Sequence, residues 1–326
     1  MNQNELRNEY LRLVAKYEIP ASQEVLDIFS NCLFHLIDNH LKDEVKTDAE
    51  KDARLVLQMI FSKVLHTAKL IEGVSFTGPK GQKLNTIIDP TVLAVLIRNM
   101  FETVGMFSVV YWHTNDYEDV RKMIYLLWVH AGLSYRQRFE DFLNQPGLPP
   151  EVVKELKEKA DEEKKLIEQI ATLVRGLQTF QDFDAKNQGL IENRLKAKEY
   201  LIQVQGKQVK FLSWKDSPSM MGVRPGRLDD IYTYFSLYAH PSNVSVFQFD
   251  TMFKKDDPQY LELTKLNLQI FYGLVAMFIA DFIECYPQTL ASFEQLSSRD
   301  QIIVDAYNRL FRGNDRRINS VSELLG

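Results

Sequence analysis

DPTVLAVLIRNMFETVGMFSVVYW, residues 89–112, is apolar on every side at helical period. A helix without a polar face has to be surrounded by other elements, so the stretch predicts a central helix in an all-α protein. Asp89 predicts the N-cap, and Pro90 the first helical position, where a missing N–H does no harm. Its two charges, Arg98 and Glu102, stand one turn apart and meet on one face. Bare charges are costly inside a core, so the two pair with each other or hold something that enters.

The same period runs outward in both directions. A helix over about 4–17 ends before Pro20. Val25, Leu26, Phe29, Cys32, Leu33, Leu36 and Ile37 predict a second, capped by Ser22, and Leu55, Val56, Met59, Ile60 and Val64 a third over about 48–71, stopped by Gly73. SFTGPKGQKLNT (75–86) reads as a polar loop. Helices over 117–143 and 150–180 flank the turn LNQPGLPP, which predicts an antiparallel helical arm. The run EVVKELKEKADEEKK in its second half reads as a solvated face. YLIQV and QVKFLSW switch to period two around Gln205-Gly206-Lys207 and predict the one small β-hairpin, over 200–214. Helices over 227–240, 258–285 and 299–311 complete the chain. The expected architecture is a multi-helix bundle forming a single domain over 1–326. It has N-terminal helices in 1–72, a core from 89–143 and 226–312, and an arm protruding over 117–180.

Composition narrows the function classes. With 45% hydrophobic and 25% charged residues the 326-residue chain is ordinary globular material. A net charge of -5 gives no general basic field, so wholesale nucleic-acid binding is not indicated. Two cysteines, Cys32 and Cys285, both inside apolar helical patterns, read as buried thiols of a reduced intracellular protein. MNQNELRNEYLRLVAKYEIP lacks the pattern of a signal peptide, and the expectation is a cytoplasmic protein. Three stretches, 92–112, 123–133 and 270–283, are apolar enough to test as membrane spans. Arg98 and Glu102 interrupt the first, the second is short, and Asp281 ends the uncharged part of the third, so all three read as buried core helices and no membrane partner is expected.

Candidate chemistry gathers on RLDDIYTYFSLYAHPSN, residues 227–243. Asp229, Thr233, Ser236 and His240 fall on one face at three-four spacing, opposite Ile231, Tyr234, Phe235 and Tyr238. Ser236 and His240 are one turn apart, half of a nucleophile–base pair. Asp229 cannot complete it, because eleven positions of helix span ~16 Å. The bland reading is a capping histidine at a helix C-terminus beside a structural serine. The face is also the best supplied with donors and acceptors for the Arg98–Glu102 pair, so Arg98, Glu102 and His240 are expected to lie close together.

An arginine and glutamate at R-x-x-x-E in an apolar helix, here Arg98 and Glu102 after Pro90, followed downstream by a tyrosine-rich helix ending S-x-x-x-H-P-S, here Ser236 to Ser242, resembles a bacterial family of helical proteins of unknown function. The resemblance covers residues 89–242. It implies that the arginine, glutamate and histidine act as one site, and it brings no reaction with it. The nearest enzymatic analogy is the HEPN class of ribonuclease toxins, whose signature puts histidine four to six residues after arginine on one helix. Arg121 and His130 come closest here and stand too far apart.

Other motifs carry less. TGPKGQK lacks the Gly-Lys-Ser/Thr ending of a phosphate loop and follows a helix. Cys32, His35, Asp38 and His40 have the residue types of a zinc site, but Cys32 falls on the buried stripe and His40 on a different face from Asp38. No Glu-x-x-His pair of the di-iron kind is present, and no cofactor or metal is expected. Arg121, Lys122, Arg136 and Arg138 on one helix read as a solvated face before an RNA contact. The reading that follows is an interaction or sensing protein with a structural Arg/Glu/His cluster, its partner a protein or a second copy bound through the arm. The alternative is a hydrolase or ribonuclease with His240 as acid/base, Ser236 beside it, Arg98 steadying an anion and Glu102 holding the arginine.

Overall fold

The computed structural model describes residues 5, 8, 9, 11, 12, 19–114, 117–137, 149–240, 242–251, 259–318 and 321. In chain order come α1 (Ile19–His40), α2 (Asp48–Leu70), β1 (Val74–Thr77), β2 (Lys83–Ile87) and α3 (Pro90–Phe107), which runs on as a π turn (Ser108–Trp112). Then follow α4 (Glu118–Arg136), α5 (Pro150–Gly176), α6 (Gln178–Gln181), α7 (Ala185–Ala197), β3 (Ile202–Gln205) and β4 (Gln208–Phe211). The chain closes with α8 (Ser217–Met220), α9 (Ile231–Ala239), α10 (Asn243–Thr251), α11 (Gln259–Cys285), α12 (Leu290–Glu294) and α13 (Ser298–Arg312). The protein is mostly α, as the three-four periodicity predicts. The chain divides into two compact units, Met1–Ser108 with Trp214–Gly326, and Val109–Ser213.

In the first unit α3 and α11 form the core. Asp89 caps α3 by accepting from the Thr91 and Val92 N–H groups at 2.8 and 3.4 Å, with Pro90 in the first turn. Phe107 meets Phe278 edge-on at 4.8 Å and lies 6.1 Å from Phe282. Helix α13 closes on α11 at Gly273, where a Cβ would stand 2.0 Å from Cε2 of Phe311. Tyr272 of α11 packs on Phe29 of α1 at 6.0 Å and on Tyr307 of α13 at 5.3 Å, which draws three helices onto one aromatic cluster. Residues 90–112 and 261–285 are long and apolar enough to cross a membrane, but their most apolar windows are 67% and 83% buried within the protein.

Asp281, inside that core, meets Arg312 of α13 through two parallel bonds of 2.6 and 2.7 Å. Arg312 Nε donates to the Met221 carbonyl at 2.6 Å, and Ser108 Oγ donates to Asp281 at 3.3 Å. Both charges are buried, and the bidentate geometry with added hydrogen bonds is what makes such a pair tolerable. Burial pushes the Asp281 carboxyl up, and Arg312 pulls it back.

The second unit contains the arm and a hairpin. Gln137, next after α4, donates to the Ala160 carbonyl of α5 at 3.3 Å, and Arg136 pairs with Glu163, so the two helices run antiparallel. β3 and β4 pair in the register Gln205↔Gln208, with Gly206 at φ 57 in the two-residue turn. Asn187 of α7 fastens this hairpin by accepting from Val209 N–H at 2.9 Å.

Five expectations are corrected. Ser22 is not a cap, since α1 already begins at Ile19 and Ser22 lies buried within it. Strand is not confined to 200–214, since 74–87 forms a second antiparallel hairpin. Its side chains on β1 are all exposed, so no buried face marks it in the sequence. The helix expected from 227 starts at Ile231, because Gly226 and Asp230 have positive φ and Asp229 accepts from Gly226 N–H in a turn. α10 has no counterpart in the sequence reading, and α5 ends at Gly176 rather than near 180. Most of the expected N-terminal helix, residues 138–148 with most of the LNQPGLPP turn, and most of the tail fall outside the described residues; residues 5, 8, 9, 11 and 12 are helical, Glu9 pairs with Arg12 and Arg299, and Arg12 also with Glu24.

Candidate functional site

Arg98 sits about two turns into α3, and Glu102 about one turn further. Arg98 Nε donates to Glu102 Oε1 at 3.1 Å, and Nη2 donates to the hydroxyl of Tyr232 on α9 at 2.9 Å. The guanidinium carbon also lies 4.8 Å from the centre of the same ring. Trp214 stacks on Tyr232 with 11° between planes at 6.4 Å, and Phe101 flanks it at 6.4 Å. Gly105 lets α8 come close to α3, since a Cβ there would already meet Ser217 at 3.3 Å. The Arg98 and Glu102 side chains remain 18% and 30% exposed, which leaves the guanidinium donors not used by the protein open to solvent.

The other sequence-picked residues are placed differently. Ser236 Oγ donates to its own helix, to the Tyr232 carbonyl at 2.7 Å, and not to His240. The His240 side chain is exposed at the end of α9 and makes no hydrogen bond or ion pair among the described residues; its backbone N–H donates to the Ser236 carbonyl at 3.2 Å. Arg98 meets α9 in its first turn, eight positions before His240, ~12 Å along the axis. The expected nucleophile–base pair and the Arg98–Glu102–His240 cluster are therefore not assembled. Ser242 accepts from Ser245 N–H at 3.1 Å and so caps α10, which makes S-x-x-x-H-P-S a helix stop followed by a helix start.

Tyr232 and Trp214 are the partners that sequence reasoning missed. Tyr232 stands four residues before Ser236 and eight before His240, so its place on that face was readable; Trp214 reads as the end of the second strand, but β4 stops at Phe211 and Trp214 opens a short 3-10 turn, so the period gives no sign of this role. Tyr234, the next tyrosine, donates to Asn267 of α11 at 3.1 Å, and burial with the adjacent Tyr238 pushes its phenol up, keeping it a neutral donor. Of the zinc-type residues, Cys32 is fully buried and burial pushes its thiol up, while His40 turns to Asp43 and Ser292.

Compared with known proteins, the chain matches no family model, no curated protein and no solved structure.

Proposed function

We propose that the protein is an interaction protein in which the Arg98–Glu102–Tyr232 knot is structural and the arm binds a second copy of the chain. The supporting observation is a second apolar stripe on α5. Val153, Leu156, Ala160 and Ile167, at three-four spacing, are half-buried on the side where Ala160 and Glu163 meet Arg136 and Gln137. Val152, Leu166 and Leu173, fourteen and seven residues apart, share another face and are 37%, 43% and 55% exposed. Lysines and acids alternate along the helix, with pairs such as Lys159–Glu155 and Lys164–Asp161, so a second α5 laid antiparallel offers the same apolar stripe and both signs of charge. The seam is narrow, and the expected association is weak, on the order of micromolar.

Sedimentation equilibrium of the wild type and of Leu166→Glu/Leu173→Glu tests this. A concentration-dependent dimer abolished by the double substitution is expected; a monomer at all concentrations, or a dimer indifferent to the substitutions, would overturn it. For the hydrolase or ribonuclease alternative, RNA cleavage that disappears in His240→Ala would favour catalysis; the expected result is no cleavage that depends on His240.

A further inference from the structure

α13 ends at Arg312, and Gly313, at φ 91, turns the chain into a short 3-10 turn, Asn314–Arg316. Two hydrogen bonds pin the segment that follows to the helix it has just left. Asn308 Nδ2 donates to the Arg316 carbonyl at 2.5 Å, and Ile318 N–H donates to Asp305 Oδ1 at 3.0 Å. Both partners come from neighbouring turns of α13, so residues 314–318 are held as a wall.

That wall borders a cavity of about 400 Å³, within the size range of small-molecule sites. Ala280, Ile283, Pro287, Leu290 and Ile318 line its apolar part, and Glu284, Arg312, Asp315, Arg316 and Arg317 its charged part. These charges are not equivalent. Arg312 is committed to the buried pair with Asp281, and Glu284 and Arg316 are engaged within the protein. The Asp315 and Arg317 side chains form no ion pair or hydrogen bond among the described residues; the Arg317 charge acts on the Asp305 carboxylate without contact. Arg317 Nε is buried with no acceptor. A buried donor left in that state is rare in folded proteins, and here it belongs to a residue on a cavity wall. One cavity therefore presents an unpaired cation, an unpaired anion two residues away and an apolar lining. A simple anion is drawn to Arg317 and repelled by Asp315, and a simple cation meets the reverse. A ligand carrying both charges satisfies the two together.

We propose that this cavity binds a free α-amino acid with an apolar side chain. The planar guanidinium of Arg317 takes the carboxylate, whose two oxygens match its fork of donors. Asp315 takes the ammonium, and the apolar lining takes the side chain. Arg312 is 4% exposed and held by Asp281 and the Met221 carbonyl, so its part of the cavity is formed before a ligand arrives. None of these groups belongs to the Arg98 knot or to the arm, and the proposal stands or falls apart from the reading given above.

The full chain is titrated calorimetrically with L-leucine, with N-acetyl-L-leucine, which lacks the ammonium, and with L-leucinamide, which lacks the carboxylate. Leucine is expected to bind at one site per chain, and each analogue about tenfold more weakly or worse, as loss of a charged hydrogen bond dictates. Glycine, with no side chain for the apolar lining, should be weakened to a similar degree. Arg317→Gln and Asp315→Asn should each weaken leucine about tenfold or more, and in Arg317→Gln leucine and leucinamide should bind alike, because the carboxylate has lost its partner. No heat from leucine up to about 10 mM would overturn the proposal. So would an analogue that binds the wild type as tightly as leucine does, or leucine affinity unchanged in the folded variants. If a variant does not fold, the analogues decide the question on the wild type alone.

Discussion

Adding one methyl group at Gly273 should be costly, because the new Cβ falls on the Phe311 ring at 2.0 Å and that ring is buried between α11 and α13. Gly273→Ala is expected to destabilise by about 1–3 kcal/mol, read from urea unfolding, against a helix-propensity gain of about 1 kcal/mol that an open glycine would show. Glu9 supplies a pH-dependent counterpart. Arg12 first, then Arg299, hold its carboxyl down at about 2, from an ordinary 4.5, although burial opposes them. A depressed carboxylate contributes stability above its unfolded pKa, so this part is present at neutral pH and is lost as pH falls from about 4.5 towards 2. Glu9→Gln should flatten the unfolding midpoint over that window; an unchanged pH profile would contradict the pairing. At this scale the Arg98–Glu102 contact was legible, since four-residue spacing on a helix dictates it. The Asp281–Arg312 pair was not, because its partners are 31 positions apart and nothing local in the sequence couples them.

Helices were legible wherever one face is buried. Helix α2 runs from Asp48 to Leu70, close to the span that its apolar spacing predicts, with Val56, Ile60 and Val64 inward as expected; Leu55 and Met59, also expected inward, are exposed, and Ala53 and Leu57 take the buried places. β1 and α10 escaped for the same reason: each leaves its apolar side chains in water, so no single face carries the signal. In α10, Val244, Val246, Phe247 and Phe249 are all exposed, Phe247 at 70%. Phe247→Ser should therefore change stability by no more than about 0.5 kcal/mol in thermal or urea unfolding, whereas a buried phenylalanine such as Phe278 would cost about 3–5 kcal/mol on truncation. A large loss at Phe247 would mean that α10 is covered by something the fold of this unit does not supply. The site helix α9 was read correctly in type and stop but not in start, since Gly226 and Asp230 adopt turn conformations that periodicity does not register.

On the scale of the molecule, the division into two units lies at Ser108/Val109 and Ser213/Trp214. The first of these boundaries falls where α3 passes into its π turn, inside the most apolar stretch of the chain, with no Pro/Gly-rich linker to announce it. The sequence period correctly marks residues 89–112 as a helix to be surrounded, and the structure adds how its charged face is used: Arg98 reaches across to Tyr232, so the polar knot joins α3 to α9. A double-mutant cycle tests that claim most directly, comparing Arg98→Met, Tyr232→Phe and the pair by urea unfolding. If the knot is structural, the two substitutions are coupled by about 1 kcal/mol, as for a hydrogen bond to a charged donor that is partly open to water. Additive effects, with no coupling beyond about 0.3 kcal/mol, would contradict it.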